Sequence, residues 1–171
     1  MGSIMNDEGE GAGYLICRPI GTIRTPFRQR EGTPIQPAGA RSVKGQVEVF
    51  EAFAPGLKDL EGFSHIFLLY HFHRSGSWSP EVVPFMDHQP RGVFATRAPS
   101  RPNPIGISLV RLMKVEGAIL HVEDVDMLDG TPLLDIKPYL PEFDSREATA
   151  RGWLEGKSGK ARELKADDRF G

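Results

Sequence analysis

Short segments that are apolar or that alternate between hydrophobic and polar residues recur along the chain, as expected of β-strands. The clearest example is residues 45–50 (GQVEVF), whereas residues 64–73 (SHIFLLYHFH) are apolar on both faces, which is typical of a central strand. A hairpin is predicted across Glu116-Gly117, because apolar runs lie on both sides of this turn. The predicted strands are residues 14–25 (interrupted at Pro19 and Gly21), 45–50, 64–73, 107–115, 119–125 and 133–137.

Helical patterns are scarce between these strands. Residues 54–60 can form at most a short helix, and Asp144 or Ser145 can cap another short helix that runs to Leu154. Since no long amphipathic helix separates the strands, the pattern predicts an all-β fold with short helical segments and no Rossmann sheet. A mostly antiparallel sheet closed into a barrel or a sandwich fits this spacing.

Polar segments flank the predicted β domain. Residues 1–13 are acidic and rich in glycine and predict a disordered leader, residues 14–143 form the β domain, and residues 144–171 supply the short helix and a tail. Within the domain, residues 27–42 form a long loop rich in proline, glycine and arginine. Loops of this length inside a compact domain are usually functional or disordered.

The composition and net charge restrict the classes of protein to which the chain can belong. The chain has 171 residues, of which 39% are hydrophobic, as expected of one globular domain with a sizeable core. The net charge of −2 does not mark a nucleic-acid binder, so a basic face would have to come from local clustering. The arginines that could form such a face are Arg24, Arg28, Arg30, Arg41, Arg91 and Arg101.

Cysteine content and hydropathy exclude further classes. Cys17 is the single cysteine, which excludes an internal disulfide and a cysteine-based metal cluster, and its place in a predicted strand favours a small core residue. No apolar run approaches the roughly 18 to 20 residues that a membrane-spanning helix requires. With an acidic start unlike a signal peptide, the sequence predicts a cytoplasmic protein.

The stretch GVFATRAPSRPNPIG (residues 92–106) is a candidate ligand-binding loop. We expect it to open as a strand at Val93 and Phe94 and then to place Arg97 and Arg101 among three prolines. Proline fixes φ and pushes its neighbours to extended or turn geometry, so the backbone here should be rigid. A rigid loop that carries two arginines is suited to presenting cations to a ligand.

Two histidines near the end of the central strand are candidate ligands of a different kind. His71 and His73 are two residues apart and would share one face of a strand, but a metal site needs a third and usually a fourth ligand. Imidazoles that are hydrogen-bonded at a strand end explain the pair better, and we predict no metal. A contact from His73 and Arg74 to a ligand is favoured, because they end the strand at a loop.

The acidic segment 124–144 contains two sets of residues that could act together. Asp126 lies three residues before Asp129, so their carboxylates could converge beside one turn, although turn composition alone explains Asp129. Asp135 and Lys137 share a strand face, and Tyr139 follows. Spacing alone leaves proton transfer and a surface salt bridge equally open for this trio.

Five motifs, in order over roughly residues 18–143, give the chain a family resemblance. They are IGTIRTPF, GTPIQPAG, DLEGFSHIFLLYHFH, GVFATRAPSRPNPIGISLV and LDGTPLLDIKPYLP. The chain resembles the TsaA/TrmO-like family, also called YaeB-like. The resemblance implies a β-barrel, a homodimer and S-adenosylmethionine as cofactor. It also implies methylation of the exocyclic amine of threonylcarbamoyladenosine, beside the anticodon of threonine tRNA.

The resemblance also implies a set of cofactor-binding residues. These are Gln36, Pro37, Ala38, His73, Arg74, Arg97, Leu109, Asp126, Met127, Leu128 and Asp129. A cation such as Arg97 suits the carboxylate of the cofactor, and a carboxylate such as Asp126 suits its ammonium or ribose hydroxyls.

For catalysis we expect Asp135 to accept or orient the amine proton, while Lys137 and Tyr139 position the substrate. The alternative is a binding module for S-adenosylmethionine, or a small-molecule methyltransferase, that does not act on tRNA. A metal-dependent barrel enzyme that uses His71 and His73 is a third and weaker hypothesis.

Overall fold

The computed structural model describes residues 15–31, 33–34 and 40–156. The predicted leader over residues 1–13, the end of the predicted tail and the loop residues Gln36, Pro37 and Ala38 lie outside the described residues.

Six antiparallel strands close into a barrel, in the order β1-β2-β7-β6-β3-β8, and a separate two-stranded sheet pairs β4 with β5. This confirms the predicted all-β antiparallel fold and selects the barrel. The strands are β1 (Gly21–Arg24), β2 (Lys44–Val49), β3 (His65–His71), β4 (Glu81–Val82), β5 (Arg91–Gly92), β6 (Ile105–Glu116), β7 (Ile119–Glu123) and β8 (Thr131–Pro138).

Alternation of buried and outward residues explains why these segments form the barrel. In β3, Ile66, Leu68 and Tyr70 are buried, and the residues between them are half-buried on the outside. Each of the six barrel strands contributes buried aliphatic side chains in the same way, so the barrel interior is one continuous apolar core. The β6–β7 hairpin turns at Gly117, whose φ of 59° favours glycine, so the predicted hairpin is confirmed.

The first predicted strand is too long. Pairing begins only at Ile20, whose backbone N–H donates to Leu133 O at 2.8 Å, and β1 starts at the next residue. Pro19 has no N–H to contribute to a sheet, and residues 15–18 before it lie outside any strand and are exposed. Cys17 lies in this exposed part, so the expectation that it is a core residue is wrong.

The helical segments are short, as predicted, but two of them lie where no helix was predicted. Residues 93–95 form a 3-10 turn rather than a strand, because Val93 O accepts from the backbone N–H and the hydroxyl of Thr96. Helix α1 occupies Pro141–Asp144, and Asp144 Oδ2 accepts from the N–H of Leu140 at 2.7 Å instead of capping a following helix. The remaining 3-10 segments are Glu51–Leu57, Leu60–Gly62 and Gly152–Leu154. In the described parts of the chain, every helix is too short or too polar to cross a bilayer.

Candidate functional site

A cavity of about 510 Å³ opens at one end of the barrel. Its walls come from the segments that meet at this end: the end of β3 with the following turn, the start of β6, the residues between β7 and β8, and the loop before β6. The segment Trp153–Leu154 completes the wall. This volume lies within the range of small-molecule and cofactor sites.

A half-buried carboxylate, Asp126, faces this cavity and is held by the hydroxyl of Ser108, which is itself bonded to Tyr70. Ser108 Oγ donates to Asp126 Oδ1 at 2.6 Å, and Tyr70 Oη lies 3.0 Å from the same Ser108 oxygen. Because the single hydroxyl proton of Ser108 is used on the carboxylate, Tyr70 must donate to Ser108. The result is a directed hydrogen-bond chain from Tyr70 through Ser108 to Asp126.

The surroundings of Asp126 determine whether its carboxyl group is ionised. Burial raises the pKa of Asp126 to about 6, while the Ser108 hydrogen bond and the nearby Arg97 act in the opposite direction. The pKa of Tyr70 is raised by burial and by the charge of Asp126, so the phenol stays protonated and remains a donor. At neutral pH the cavity therefore contains an ionised carboxylate of fixed orientation.

A glycine makes room for this arrangement. Gly106 lies opposite Tyr70 in the β3–β6 register, and a Cβ there would collide with the Tyr70 ring and come within 2.9 Å of Phe72 Cζ. The two aromatic rings pack edge to face with centroids 5.3 Å apart. The Gly106 position thus allows Tyr70 to lie over β6, close to Ser108.

The two arginines of the 92–106 loop have different roles. The Arg101 guanidinium donates to three backbone carbonyls of the loop, those of Val93, Thr96 and Ala98, at 2.7 to 3.1 Å. Both arginines line the cavity, but it is the charge of Arg97 that favours the ionised form of Asp126. Arg101 therefore fixes the loop, and Arg97 is the cation that the loop presents.

His73 and Arg74 follow β3 and also line the cavity. The Thr131 hydroxyl donates to Leu128 O, so its 3.4 Å contact with His73 Nδ1 requires the N–H form at that nitrogen. Burial and the charge of Arg74 lower the pKa of His73, so the ring is neutral at pH 7. Arg74 donates to Arg28 O at 3.0 Å, which ties the long loop to this end of the barrel.

The structure brings together only part of the predicted cofactor set: His73, Arg74, Arg97, Asp126, Met127 and Leu128 all line the cavity. Leu109 points outward on β6, opposite Phe67. Asp129 Oδ1 accepts from the N–H of Thr25 at 3.1 Å, a structural contact to the end of β1, so its carboxylate does not converge with that of Asp126.

The predicted catalytic residues lie outside the cavity, on the outer face of the barrel. Asp135 Oδ2 and Lys137 Nζ form an ion pair of 2.8 Å, and both side chains are exposed. The Tyr139 ring packs edge-on against Phe67, with centroids 5.7 Å apart.

His71 and His73 do not share one strand face, because the backbone turns between them and the N–H of His73 donates to His71 O at 2.8 Å. Within the described ranges, no group of three or more His, Cys, Asp or Glu side chains is placed to hold a metal ion.

Sequence reasoning missed Tyr70, Ser108, Gly106 and Trp153 as residues that build the site. The one available signal for Ser108 is a polar residue at a buried position of an apolar strand, which needs a partner. Which partner it finds depends on the register between strands, which the pattern of one strand does not determine.

Comparison with known proteins agrees with this architecture. The family described as the tRNA-methyltransferase O N-terminal domain matches residues 22–145. A probable S-adenosyl-L-methionine-binding protein of Pyrococcus abyssi is 56% identical over 157 residues, covering 91% of this chain and 85% of that protein. The tRNA (adenine(37)-N6)-methyltransferase of Escherichia coli is 41% identical over 136 residues, covering 74% of this chain and 58% of that enzyme.

Among solved structures, the crystal structure of TrmO from Pseudomonas aeruginosa matches with a TM-score of 0.69 at 38% identity, covering 82% of this chain and 63% of that one. The chain thus spans less than two thirds of the length of this structure and of the Escherichia coli enzyme.

Proposed function

The chain belongs to the family of the tRNA-methyltransferase O N-terminal domain, and from this membership we propose that it is an S-adenosylmethionine-dependent methyltransferase that acts on tRNA. The proposed target is the exocyclic amine of threonylcarbamoyladenosine next to the anticodon, in threonine tRNA. Relatives named tRNA (adenine(37)-N6)-methyltransferase support the reaction class. As part of the same proposal, we place the protein in the cytoplasm, where its tRNA substrate is found.

The observation that carries this proposal is the pairing of opposite charges in one cavity. The cofactor has a carboxylate and an ammonium group on the same carbon atom, and the cavity offers Arg97 for the first and ionised Asp126 for the second. When bound, the cofactor supplies an electrophilic methyl group on a sulfonium. The neutral state of His73 keeps a further positive charge away from that cation.

The protein then has to align the target amine and remove its proton, because the lone pair of an adenine amine is delocalised into the ring. We propose Asp135 as the proton acceptor, with Lys137 and Tyr139 positioning the substrate. In the strand register Asp135 is paired with Leu69, and Leu69 with Ile107, which lines the cavity. Two strand spacings separate Asp135 from this rim by about 10 Å.

In the proposed homodimer, the outer barrel face that carries Asp135 lies close to the cavity of the other copy. The outer face of β3 and β6 carries Ile105 and Ile107, which are 41% and 51% exposed, beside half-buried Phe67 and Leu69. A two-fold interface uses the same face on both copies, so the Asp135–Lys137 pair of one copy can reach the rim of the other. Light scattering that finds only a monomer at working concentration would contradict this assembly.

A second candidate function is a protein that binds S-adenosylmethionine without acting on tRNA. It is favoured by the archaeal relatives, whose names describe cofactor binding alone. Cofactor binding with no methyl transfer to any tRNA would select it.

Calorimetry with S-adenosylmethionine tests the proposed site. Arg97→Ala should weaken cofactor binding by about 10- to 100-fold, because a charge-assisted hydrogen bond to a ligand is lost. Arg111→Ala is the matched control: Arg111 is an exposed arginine on the outside of the barrel, 3.8 Å from Glu123, and its loss should leave the affinity unchanged. Equal affinities for the two variants would remove Arg97 from the site, and no binding by the unmodified protein would refute the function.

A further inference from the structure

The segment Gly152–Leu154 contributes to the cavity although it lies beyond residues 22–145, the part that matches the family. The indole N–H of Trp153 donates to Ala95 O at 2.8 Å, a contact across 58 positions of sequence. This bond brings the segment back onto the loop that carries Arg97. Trp153 and Leu154 therefore form a wall that the family domain does not supply.

The Trp153 ring is held in one place. The Arg91 guanidinium lies 5.9 Å from the ring centroid, and Asp87 Oδ2 accepts from Arg91 Nε and from an Nη of the same guanidinium at 2.9 and 2.7 Å. Arg91 does not line the cavity, so it supports the indole from behind. A ring fixed in this way loses little conformational entropy when a ligand packs against it.

The cavity wall offers both charged and aromatic side chains. Arg97 and Asp126 carry opposite charges, and Phe85, Trp153 and a Phe94 that is 82% exposed form an aromatic part of the wall. A ligand with a charged amino-acid end and a flat heteroaromatic base matches this combination of groups. The aromatic wall is suited to a purine ring, which stacks on aromatic side chains.

We propose that Trp153, from outside the family domain, binds the adenine ring of the cofactor. This inference rests on the proposed function, since it assigns one end of the same ligand. Trp153 is then a binding residue that extends the cofactor site, and its effect appears in cofactor affinity rather than in affinity for tRNA.

Tryptophan fluorescence gives the first test, because the chain has only two tryptophans, Trp78 and Trp153. Trp78 is 55% exposed and is not part of the cavity wall, so it is the matched control. In Trp78→Phe, S-adenosylmethionine should quench the remaining Trp153 emission saturably. In Trp153→Phe, the emission of Trp78 should stay constant. The reverse pattern would overturn the proposal.

Calorimetry gives the second test. Trp153→Ala should weaken binding of S-adenosylmethionine and of S-adenosylhomocysteine by about tenfold or more, and Trp78→Ala should not. Trp153→Phe keeps a ring but lacks the N–H that bonds Ala95 O, so it should retain affinity within about threefold. If Trp153→Phe binds as weakly as Trp153→Ala, the residue acts only by supporting the loop, and the proposal is wrong.

The results separate a failure of the proposed function from a failure of the assignment of Trp153. If the unmodified chain does not bind S-adenosylmethionine, the proposed function itself fails. If it binds and Trp153→Ala binds equally well, only this inference fails. A Trp153→Ala variant with a higher KM for tRNA and an unchanged Kd for the cofactor would assign the ring to the nucleic acid and also overturn the proposal.

Discussion

Asp126 shows how one residue links the fold to the chemistry of the cavity. Burial raises its pKa to about 6, well above the ordinary 3.8. Between about pH 4 and 6 the folded chain thus holds a proton that the unfolded chain has released. The free energy of unfolding contributed by this group therefore falls as pH rises through that window and stays low above it. In the proposed function, this lost stability is the cost of keeping an ionised carboxylate available for the ammonium group of the cofactor.

Asp126→Asn removes that cost and should stabilise the protein at pH 7.5 by up to about 3 kcal/mol, while changing little at pH 4. Denaturant unfolding at both pH values measures the difference. The same variant should lose cofactor affinity at pH 7.5, whereas the unmodified chain should bind more tightly as pH rises through 6. His73→Gln serves as the control, because deprotonation of His73 would change affinity in the same direction. A stability difference that is identical at both pH values would contradict this account.

At the residue scale, the sequence indicated the charged side chains of the candidate site but not the residues that hold them in place. Arg97 and Asp126 stand out in the sequence because charged residues in a Pro-rich loop and at a strand end need a reason. Ser108 and Tyr70 do not, because a hydroxyl in an apolar strand has many possible partners. Their hydrogen bond follows from the β3–β6 register, which places Tyr70 opposite Gly106.

At the scale of elements, the loop before β6 was predicted to be rigid, and the structure supplies the cause. Prolines restrict the backbone, and the Arg101 guanidinium in addition joins the carbonyls of Val93, Thr96 and Ala98. The same contacts explain why Val93 and Phe94 are not a strand, since Val93 O accepts from Arg101 and Thr96 instead of a neighbouring strand. The spacing between the two arginines does not show that Arg101 is bonded to carbonyls of its own loop.

Arg101→Lys tests this cause, because a lysine ammonium cannot hold the planar three-carbonyl geometry. We expect amide hydrogen exchange at Thr96 and Ala98 to accelerate at least tenfold, and the protein to lose about 1 to 3 kcal/mol of stability. Arg111→Lys, on the outside of the barrel, provides the matched control and should change neither. Unaltered exchange in the loop of Arg101→Lys would show that the prolines alone fix it.

At the scale of the whole molecule, strand spacing and the scarcity of helices predicted a mostly antiparallel barrel or sandwich, and the structure has the barrel. The boundaries that failed depend on single residues: Pro19 delays β1, and Pro141 starts α1 before the predicted cap at Asp144. The position of Trp153 depends on a contact across 58 residues, which no local pattern encodes. The sequence pattern therefore predicts the antiparallel β fold but not the long-range contact that completes the cavity wall.

Asp135 lies outside the cavity of its own chain, so its proposed catalytic role depends on the proposed homodimer. Asp135→Asn should keep the fold and the cofactor affinity but lose about 10²- to 10⁴-fold in methyl transfer, the range typical of a general base. Glu48→Gln is the control, since Glu48 is another exposed carboxylate in an ion pair, with Arg24 at 2.8 Å. Normal turnover by Asp135→Asn would make Asp135 a structural carboxylate, and alignment alone would then carry the reaction.

The most direct test of the central claim is nucleoside mass spectrometry of tRNA after incubation with the purified chain. The tRNA comes from a strain that lacks the gene, and the S-adenosylmethionine carries an isotopically labelled methyl group. The account predicts a labelled methyl on threonylcarbamoyladenosine of threonine tRNA, which should be lost with Arg97→Ala. Bound cofactor with no label in any tRNA nucleoside would contradict the account and identify the chain as a binding protein.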